Sequence, residues 1–115
     1  MRVALDTNVL AYLEGVNDDA HRIAAEQTLR GIGEDKVVLP IQALAELFFV
    51  LIRRAKRKKD EAQRRVSGWI DGYDTVGTTE KVLTDATVLS ALYELQIFDA
   101  IILASAADGG CSLLL

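Results

Sequence analysis

Short aliphatic runs alternate with longer helical runs along this chain of 115 residues, and this alternation limits its fold more than any other feature. The runs VALD (3–6) and KVVL (36–39) predict buried strands, and YDTVGT (73–78) and CSLLL (111–115) predict two more. Strands that alternate with helices form a parallel sheet covered by helices, joined by right-handed crossovers. We therefore expect an α/β fold with a short parallel sheet flanked by helices, in a single domain spanning residues 1–115.

Helical spacing of apolar side chains and capping residues predict six helices between these strands. Thr7 or Asn8 is expected to cap the first helix, and Asn17 or Asp18 the second, which Gly31 and Gly33 then stop. Pro40 suits the first turn of the third helix, where its missing N–H costs no hydrogen bond. The remaining boundaries are expected at about Lys58 for the end of the third helix, and at 60–69, 79–95 and 96–107 for the last three helices.

The composition is that of a globular protein, with 50% apolar and 26% charged residues. The longest apolar stretch, Ala43 to Ile52, is far shorter than the roughly 20 residues of a membrane span and contains Glu46. The N-terminus lacks the small-residue cleavage site of a secretory signal. We therefore expect a cytoplasmic protein.

The chain has one cysteine and one histidine, Cys111 and His21. It therefore has no internal disulfide and cannot supply the usual four ligands of a structural zinc site. Cys111 lies in an apolar context that favours a reduced, buried thiol, and His21 is expected to face solvent. Any bound metal ion must be held by oxygen ligands.

Three acidic residues are the only charged residues in otherwise apolar or neutral segments: Asp6 at the end of the first strand, Glu46 in ALAELFFVLI (43–52) and Asp99 in LQIFDAIILASAA (95–107). Nearly apolar helices are buried, so Glu46 and Asp99 should have little access to water. Burial of unpaired carboxylates is costly, and few basic residues lie outside one segment to pair with them. Each acid alone could still reach solvent or cap a helix, but together they favour a shared site.

A hard divalent ion would balance three converging carboxylates. Mg²⁺ and Mn²⁺ take oxygen ligands, keep several waters and need few protein groups. Ions held in this way polarise a phosphoryl oxygen, activate a bound water and stabilise a leaving oxygen. The three acids are therefore typical of metal-assisted hydrolysis of a phosphodiester.

The charge of the chain is unevenly distributed. Its net charge is −4, yet residues 53–65 contain eight of the 13 basic residues and only two acids. Such a segment is either a solvated helix end and turn or a strip that binds the phosphates of RNA. The candidate RNA contacts are Arg53, Arg54, Lys56, Arg57, Lys58 and Lys59.

Three segments together carry a family resemblance: LDTNVL (5–10), LAELF (44–48) and FDAIILASAADGGCSLLL (98–115). In these segments and their order the chain resembles PIN domains, and most closely the VapC-type toxins of toxin–antitoxin pairs. The resemblance implies a metal-dependent endoribonuclease in which Asp6, Glu46 and Asp99 are the catalytic metal ligands, supported by Thr7 and Asn8. It also implies a homodimer, and a cognate antitoxin whose tail enters the active-site groove.

The chain departs from this resemblance at its end. Members of the family usually continue past the last strand with a Thr or Ser and then acidic residues, which add a fourth carboxylate, whereas this chain stops at Leu115. With one acid fewer we expect weaker metal binding, and an edge strand inclined to associate with another chain. The alternative function is therefore a catalytically weak or silent PIN domain that binds an antitoxin or RNA.

A third interpretation is a phosphate-handling α/β domain. A phosphatase with an aspartate nucleophile would have a second Asp where this chain has Asn8, and a response receiver would have paired acids near the first strand and a late Lys. Both features are absent. Of the remaining residues, Trp69, Tyr73 and Tyr93 are expected in the core or at a dimer interface rather than against RNA bases, and Asp108 in a turn.

Overall fold

The computed structural model describes all 115 residues, and its centre is a four-stranded sheet in which every strand pairing is parallel. The spatial order is β3-β2-β1-β4, so β1 is an inner strand with a partner on each side. This arrangement confirms the α/β class and the short parallel sheet. The strands are β1 (Arg2–Ala4), β2 (Val37–Pro40), β3 (Asp74–Val76) and β4 (Cys111–Leu114).

Six α-helices flank the sheet, with a short 3-10 turn at Glu34–Lys36 before β2. None of them has the length and apolar character needed to cross a bilayer. The helices are α1 (Thr7–Leu13), α2 (Asp19–Ile32), α3 (Ile41–Arg53), α4 (Lys59–Gly72), α5 (Glu80–Tyr93) and α6 (Ile97–Asp108).

The pairing of β1 continues beyond its last residue and fixes the chain that follows. Ala4 lies opposite Val38 of β2 and Leu114 of β4. Beyond the strands, the Leu115 N–H donates to the Ala4 carbonyl at 2.9 Å and the Asp6 N–H donates to the Leu115 carbonyl at 2.8 Å. Asp6 is therefore held by backbone bonds at the carboxyl end of an inner strand.

Two groups of buried apolar side chains stabilise these layers. The larger includes Leu5, Leu39 and Leu47 and joins the sheet to α1, α3 and α4. The smaller lies between α5 and α6 and includes Val82, Ala86 and Ala104. The small side chains of α6 allow it to pack closely against both the sheet and α5.

Several predicted boundaries are wrong, and the fourth helix runs to Gly72 rather than Trp69. Asp6, not Thr7 or Asn8, caps α1, because its Oδ1 accepts hydrogen bonds from the N–H groups of Asn8 and Val9. The third helix ends at Arg53, not at about Lys58. After the last turn of α3, the Ala55 N–H donates a hydrogen bond to the Val50 carbonyl. The next residue, Lys56, has a left-handed φ of 57°. A run of basic helix formers gives no sequence signal for this turn.

A buried ion-pair cluster holds the turn after α3 and the face of α4 against α1. Glu14 is the acceptor, with a side chain only 2% exposed. Its Oε1 accepts from Arg57 at 2.8 Å, and its Oε2 accepts from Arg65 at 2.7 Å and from the Trp69 indole at 3.0 Å. Arg57 also donates to the Glu14 carbonyl. Two guanidiniums of the basic segment therefore have a structural partner.

The same contacts set the ionisation of Glu14. Burial raises the pKa of Glu14, but hydrogen bonds from Arg65, Arg57 and Trp69 together outweigh burial, and its pKa is lowered below the usual 4.5. Because the folded state favours the ionised form more than the unfolded chain does, this stabilisation is complete above pH 4.5. It disappears as the pH falls through the lower pKa of the folded protein.

Glu14→Gln should lower the free energy of unfolding at neutral pH by about 2–3 kcal/mol, because it leaves two arginines without their buried carboxylate. Urea titrations of the variant and the wild type measure the difference. The difference should shrink in titrations run at progressively lower pH below 4.5. Glu26→Gln removes a partly exposed partner of Arg22 and is the control, with an expected loss under about 0.5 kcal/mol. Equal losses for the two variants would contradict a stabilising cluster.

Candidate active site

A cavity of about 240 Å³ opens beside the carboxyl ends of the inner strands and brings together all three of the singled-out acids. In parallel α/β sheets this edge is where ligands bind. The cavity is lined by Asp6, Thr7, Asn8, Glu46, Val50, Asp99, Ile102 and Leu114.

Asp6 enters the cavity from the segment between β1 and α1. Its backbone bond to Leu115 fixes its position, and its Oδ1 caps α1. The capping bonds at 2.9 Å to Asn8 and 3.4 Å to Val9 use one carboxylate oxygen. The other oxygen has no hydrogen-bond partner within the protein and remains available to a ligand.

Glu46 reaches the cavity from the second turn of α3, the helix that begins directly after β2. Its neighbours Leu44 and Leu47 face the core, which turns the face with Glu46 and Val50 toward the cavity. Gln42, one turn earlier, donates from Nε2 to Glu46 Oε2 at 3.3 Å. This weak bond orients the carboxylate without neutralising it.

Asp99 lies in the first turn of α6, which Gln96 caps through bonds to the N–H groups of Phe98 and Asp99. The positive end of the helix dipole favours an anion at this position. Asp99 is exposed, so the expectation that it would have little access to water is wrong. The apolar face of α6 packs inward through Ala100 and Ile101, which leaves Asp99 at the cavity opening.

The three carboxylates have no basic partner. No lysine, arginine or histidine side chain forms an ion pair within 4.0 Å of any of them. Burial raises the pKa of Glu46 above its usual 4.5, and the charges of Asp99 and Asp6 raise it further, against the opposing bond from Gln42. The cavity therefore carries uncompensated negative charge that the fold has gathered in one place.

Thr7 and Asn8 both line the cavity, as expected of the polar pair after the first acid. Asn8 contacts Asp6 through its backbone N–H. The Thr7 Oγ1 is buried and lies toward Glu46, whose pKa it lowers, but it forms no hydrogen bond of good geometry. A buried hydroxyl without a partner is unusual in a folded protein and marks a place where a ligand or water completes the site.

The donor set of this cavity fits a hard divalent cation. Three carboxylates without basic partners supply oxygen ligands and negative charge, and the Thr7 hydroxyl supplies a further oxygen. In the present arrangement no three acidic side chains are close enough to coordinate one ion. Binding of one ion by all three would therefore require the carboxylates to rotate toward a common point.

Comparison with known proteins places the chain in a family. The family model of the PIN domain matches residues 3–114. The chain belongs to the PIN domain family. Comparison with curated proteins finds no match.

Solved structures similar to this PIN domain are VapC toxins of toxin–antitoxin complexes. A toxin–antitoxin complex from Klebsiella pneumoniae has a TM-score of 0.76 at 21% identity, covering 98% of this chain and 84% of the other. VapC20 from Mycobacterium tuberculosis, a toxin that cleaves the sarcin–ricin loop, has a TM-score of 0.80 at 18% identity, covering 97% and 86%. VapBC2 from Rickettsia felis, bound to a DNA fragment from its promoter, has a TM-score of 0.69 at 18% identity, covering 100% and 86%. At these identities the likeness is one of fold.

The candidate RNA contacts have different surroundings. Arg57 is half-buried against Glu14, and Arg54 donates to the Asn17 side chain at 3.2 Å. The other candidates are exposed, and their side chains form no hydrogen bond or ion pair within the chain: Arg53, Lys56, Lys58 and Lys59. The surface open to phosphate is therefore smaller than the sequence suggested.

The aromatic and polar residues set aside in the sequence lie away from the cavity lining. Trp69 and Tyr73 stack on each other with ring centroids 5.5 Å apart, half-buried against the larger core. Tyr93 is 68% exposed at the end of α5. His21 is exposed and contacts Asp18, and Asp108 is the last residue of α6. Cys111 is a free, half-buried thiol.

Three apolar lining residues, Val50, Ile102 and Leu114, were not predicted as part of the site. Each lies in an apolar segment where nothing distinguishes a cavity residue from a core residue. Gln42 was also missed, although its spacing of four residues before Glu46 on a helix is the signal for a side-chain contact.

Mn²⁺ should stabilise the wild type by about 1.4 kcal/mol at ten times its dissociation constant, and Glu46→Gln should lose most of this gain. In EDTA the variant should be at least as stable as the wild type, because the substitution relieves repulsion in the cavity. Urea titrations with Mn²⁺ and with EDTA measure both effects. Glu61→Gln, which removes an exposed acid on α4, is the matched control. Full Mn²⁺ stabilisation of Glu46→Gln would exclude Glu46 as a ligand.

Proposed function

We propose that this PIN domain is a divalent-metal-dependent endoribonuclease and the toxin of a toxin–antitoxin pair. The observation that carries the proposal is the convergence of Asp6, Glu46 and Asp99 in one cavity with no basic partner. Family membership and a fold shared with VapC toxins support the same reaction class.

In this proposal the three carboxylates hold Mg²⁺ or Mn²⁺. A bound ion of this kind would supply Lewis-acid polarisation of a phosphodiester and a more acidic water. Asp6 presents its free oxygen from a position fixed by the backbone, and Gln42 donates a weak hydrogen bond to Glu46. Asp99 lies at the first turn of α6, where the helix dipole also favours the phosphate of an incoming strand.

Thr7 and Asn8 support the site from the first turn of α1. The Asn8 N–H keeps Asp6 oriented, and the unpaired Thr7 hydroxyl is placed to hold a water or a phosphate oxygen. Val50, Ile102 and Leu114 form an apolar wall that limits water to the polar side of the cavity. Such a wall strengthens the electrostatic interactions of the carboxylates with an ion.

The partners follow from the same proposal. RNA is the substrate, so the protein acts in the cytoplasm, and exposed lysines and arginines after α3 guide the phosphate backbone. Several VapC-like relatives of the same fold were crystallised as toxin–antitoxin complexes, which supports a cognate antitoxin for this chain. A homodimer is supported by the apolar side chains that α5 exposes, namely Leu83, Val88, Leu92 and Tyr93.

A catalytically weak PIN domain that binds RNA or an antitoxin is the second candidate. The specific observation in its favour is the separation of the acids, since no three of them can coordinate one ion without moving. This candidate shares the fold and the partners of the first. It differs from the first only in whether a bound metal ion brings the carboxylates close enough together for catalysis.

Purified protein should cleave a mixed pool of single-stranded RNA with Mn²⁺ or Mg²⁺ and should stop when EDTA is added. Asp99→Asn should lower the rate by more than about 100-fold, because even outer partners of metal ligands contribute 10–100-fold. Asp108→Asn changes an acid at the other end of the same helix and should retain the wild-type rate.

The outcomes distinguish the two candidates. Metal-dependent cleavage that Asp99→Asn loses and Asp108→Asn keeps supports the ribonuclease. RNA or antitoxin binding without cleavage at any metal concentration supports the binding module. Equal cleavage by both variants indicates a contaminating nuclease and contradicts the role given to Asp99.

A further inference from the structure

An exposed aromatic ring lies on the helix that carries Glu46. Phe49 is 58% exposed, among the highest values for a large apolar side chain in this protein. The Arg53 guanidinium lies over its ring, 5.4 Å from the centroid. Neither residue belongs to the two buried clusters. The pair is therefore a surface feature that the packing of the fold does not require.

The pair lies beside the cavity. Glu46, Val50 and Arg53 are spaced by four and three residues on α3, so they share one face of the helix. Glu46 and Val50 line the cavity, and Arg53 is roughly 10 Å farther along the helix axis at 1.5 Å per residue. Phe49 lies one turn from Glu46 toward Arg53. The ring and the guanidinium therefore extend the cavity face toward the end of α3.

Arg53 is free to bind a ligand. The neighbouring Arg57 and Arg65 are bound to Glu14, and Arg54 donates to Asn17. The Arg53 side chain has no acidic partner and no hydrogen bond within the chain, and its one specific contact is the ring of Phe49. That contact holds the guanidinium flat and leaves its donors available to a phosphate or a base edge.

We propose that Phe49 and Arg53 form a binding platform for single-stranded RNA next to the acidic cavity. An unpaired base stacks on the Phe49 ring, and Arg53 binds the adjoining phosphate. This inference rests on the proposed ribonuclease function, and it deepens it by specifying the substrate as an unpaired strand or loop. Bases inside a duplex are already stacked and cannot reach an aromatic side chain on a convex helix surface.

The charge distribution favours RNA over a protein partner at this place. Four exposed basic residues without acidic partners, Arg53, Lys56, Lys58 and Lys59, follow the aromatic ring, whereas the cavity before it is acidic. An RNA strand whose scissile phosphate is bound at the three acids through a cation therefore meets positive charge where it leaves the cavity. Stacking platforms beside basic grooves are the usual means of holding single strands without strict sequence selectivity.

Binding of a short single-stranded RNA in EDTA tests the platform without any cleavage. Phe49→Ala and Phe49→Leu should each weaken binding on the order of tenfold with the salt dependence unchanged, because each removes a stacking surface. Phe49→Tyr should restore wild-type affinity. Arg53→Gln should weaken binding and reduce the slope of log affinity against log salt by about 0.7, the value for one phosphate contact on a single strand. Fluorescence anisotropy over a range of salt concentrations measures all of these.

Two controls match these changes. Ile23→Ala removes an exposed apolar side chain from α2, and Arg30→Gln removes an exposed arginine in the last turn of the same helix, which precedes β2. Both should retain wild-type RNA affinity. Arg30 lies toward the amino ends of the strands, at the opposite edge of the sheet from the cavity.

The test separates failure of the platform from failure of the proposed function. Loss of RNA affinity in the Phe49 variants supports the platform even if no cleavage is ever seen. Unchanged RNA affinity in Phe49→Leu and Arg53→Gln overturns the platform even if the protein is an active ribonuclease. The platform is also overturned if the Phe49 or Arg53 variants change oligomeric state in analytical ultracentrifugation while their RNA affinity is unchanged. That result would assign the pair to a protein interface.

Discussion

The parallel pairing of β1 with strands on both sides is the constraint on which the site depends. It fixes the carboxyl end of β1 at the centre of one sheet edge, and backbone bonds through Leu115 hold Asp6 there. Since neighbouring strands are parallel, the helix after β2 begins at the same edge and carries Glu46 there. The helix before β4 begins there as well and carries Asp99. Three residues far apart in sequence meet because of the direction of the strands.

This convergence opposes stability unless a cation is bound. Three carboxylates in one cavity repel each other, and the fold places no lysine or arginine among them. Burial raises the pKa of Glu46, and the charges of Asp99 and Asp6 add to that rise. Elsewhere the chain does pair its buried charge: Glu14, with two arginines and an indole, is satisfied on every side. The contrast between the buried, compensated Glu14 and the uncompensated acids of the cavity separates a structural group from a functional one.

The sequence was sufficient to predict the parts of the fold that depend on local patterns. Four strands and six helices were expected, and Asp6, Glu46 and Asp99 were conspicuous as charges within apolar segments. The end of α3 was not predictable, because the basic residues after Arg53 favour a helix, and the turn depends on Glu14, 43 residues from Arg57 in sequence. Glu14 itself gave no signal, since acids are common in its neighbourhood. Cavity walls such as Ile102 resemble core residues, and only the arrangement of elements in space distinguishes them.

A crystal structure of the protein grown with Mn²⁺ is the most direct test of metal binding by Asp6, Glu46 and Asp99. Anomalous scattering from manganese should give a peak in the cavity, with oxygens of the three carboxylates at roughly 2.0–2.3 Å from the ion. The carboxylates should have rotated toward it from their present separation. A cavity without manganese at saturating concentration, or an ion bound only elsewhere on the protein, would show that these three acids are not a metal site.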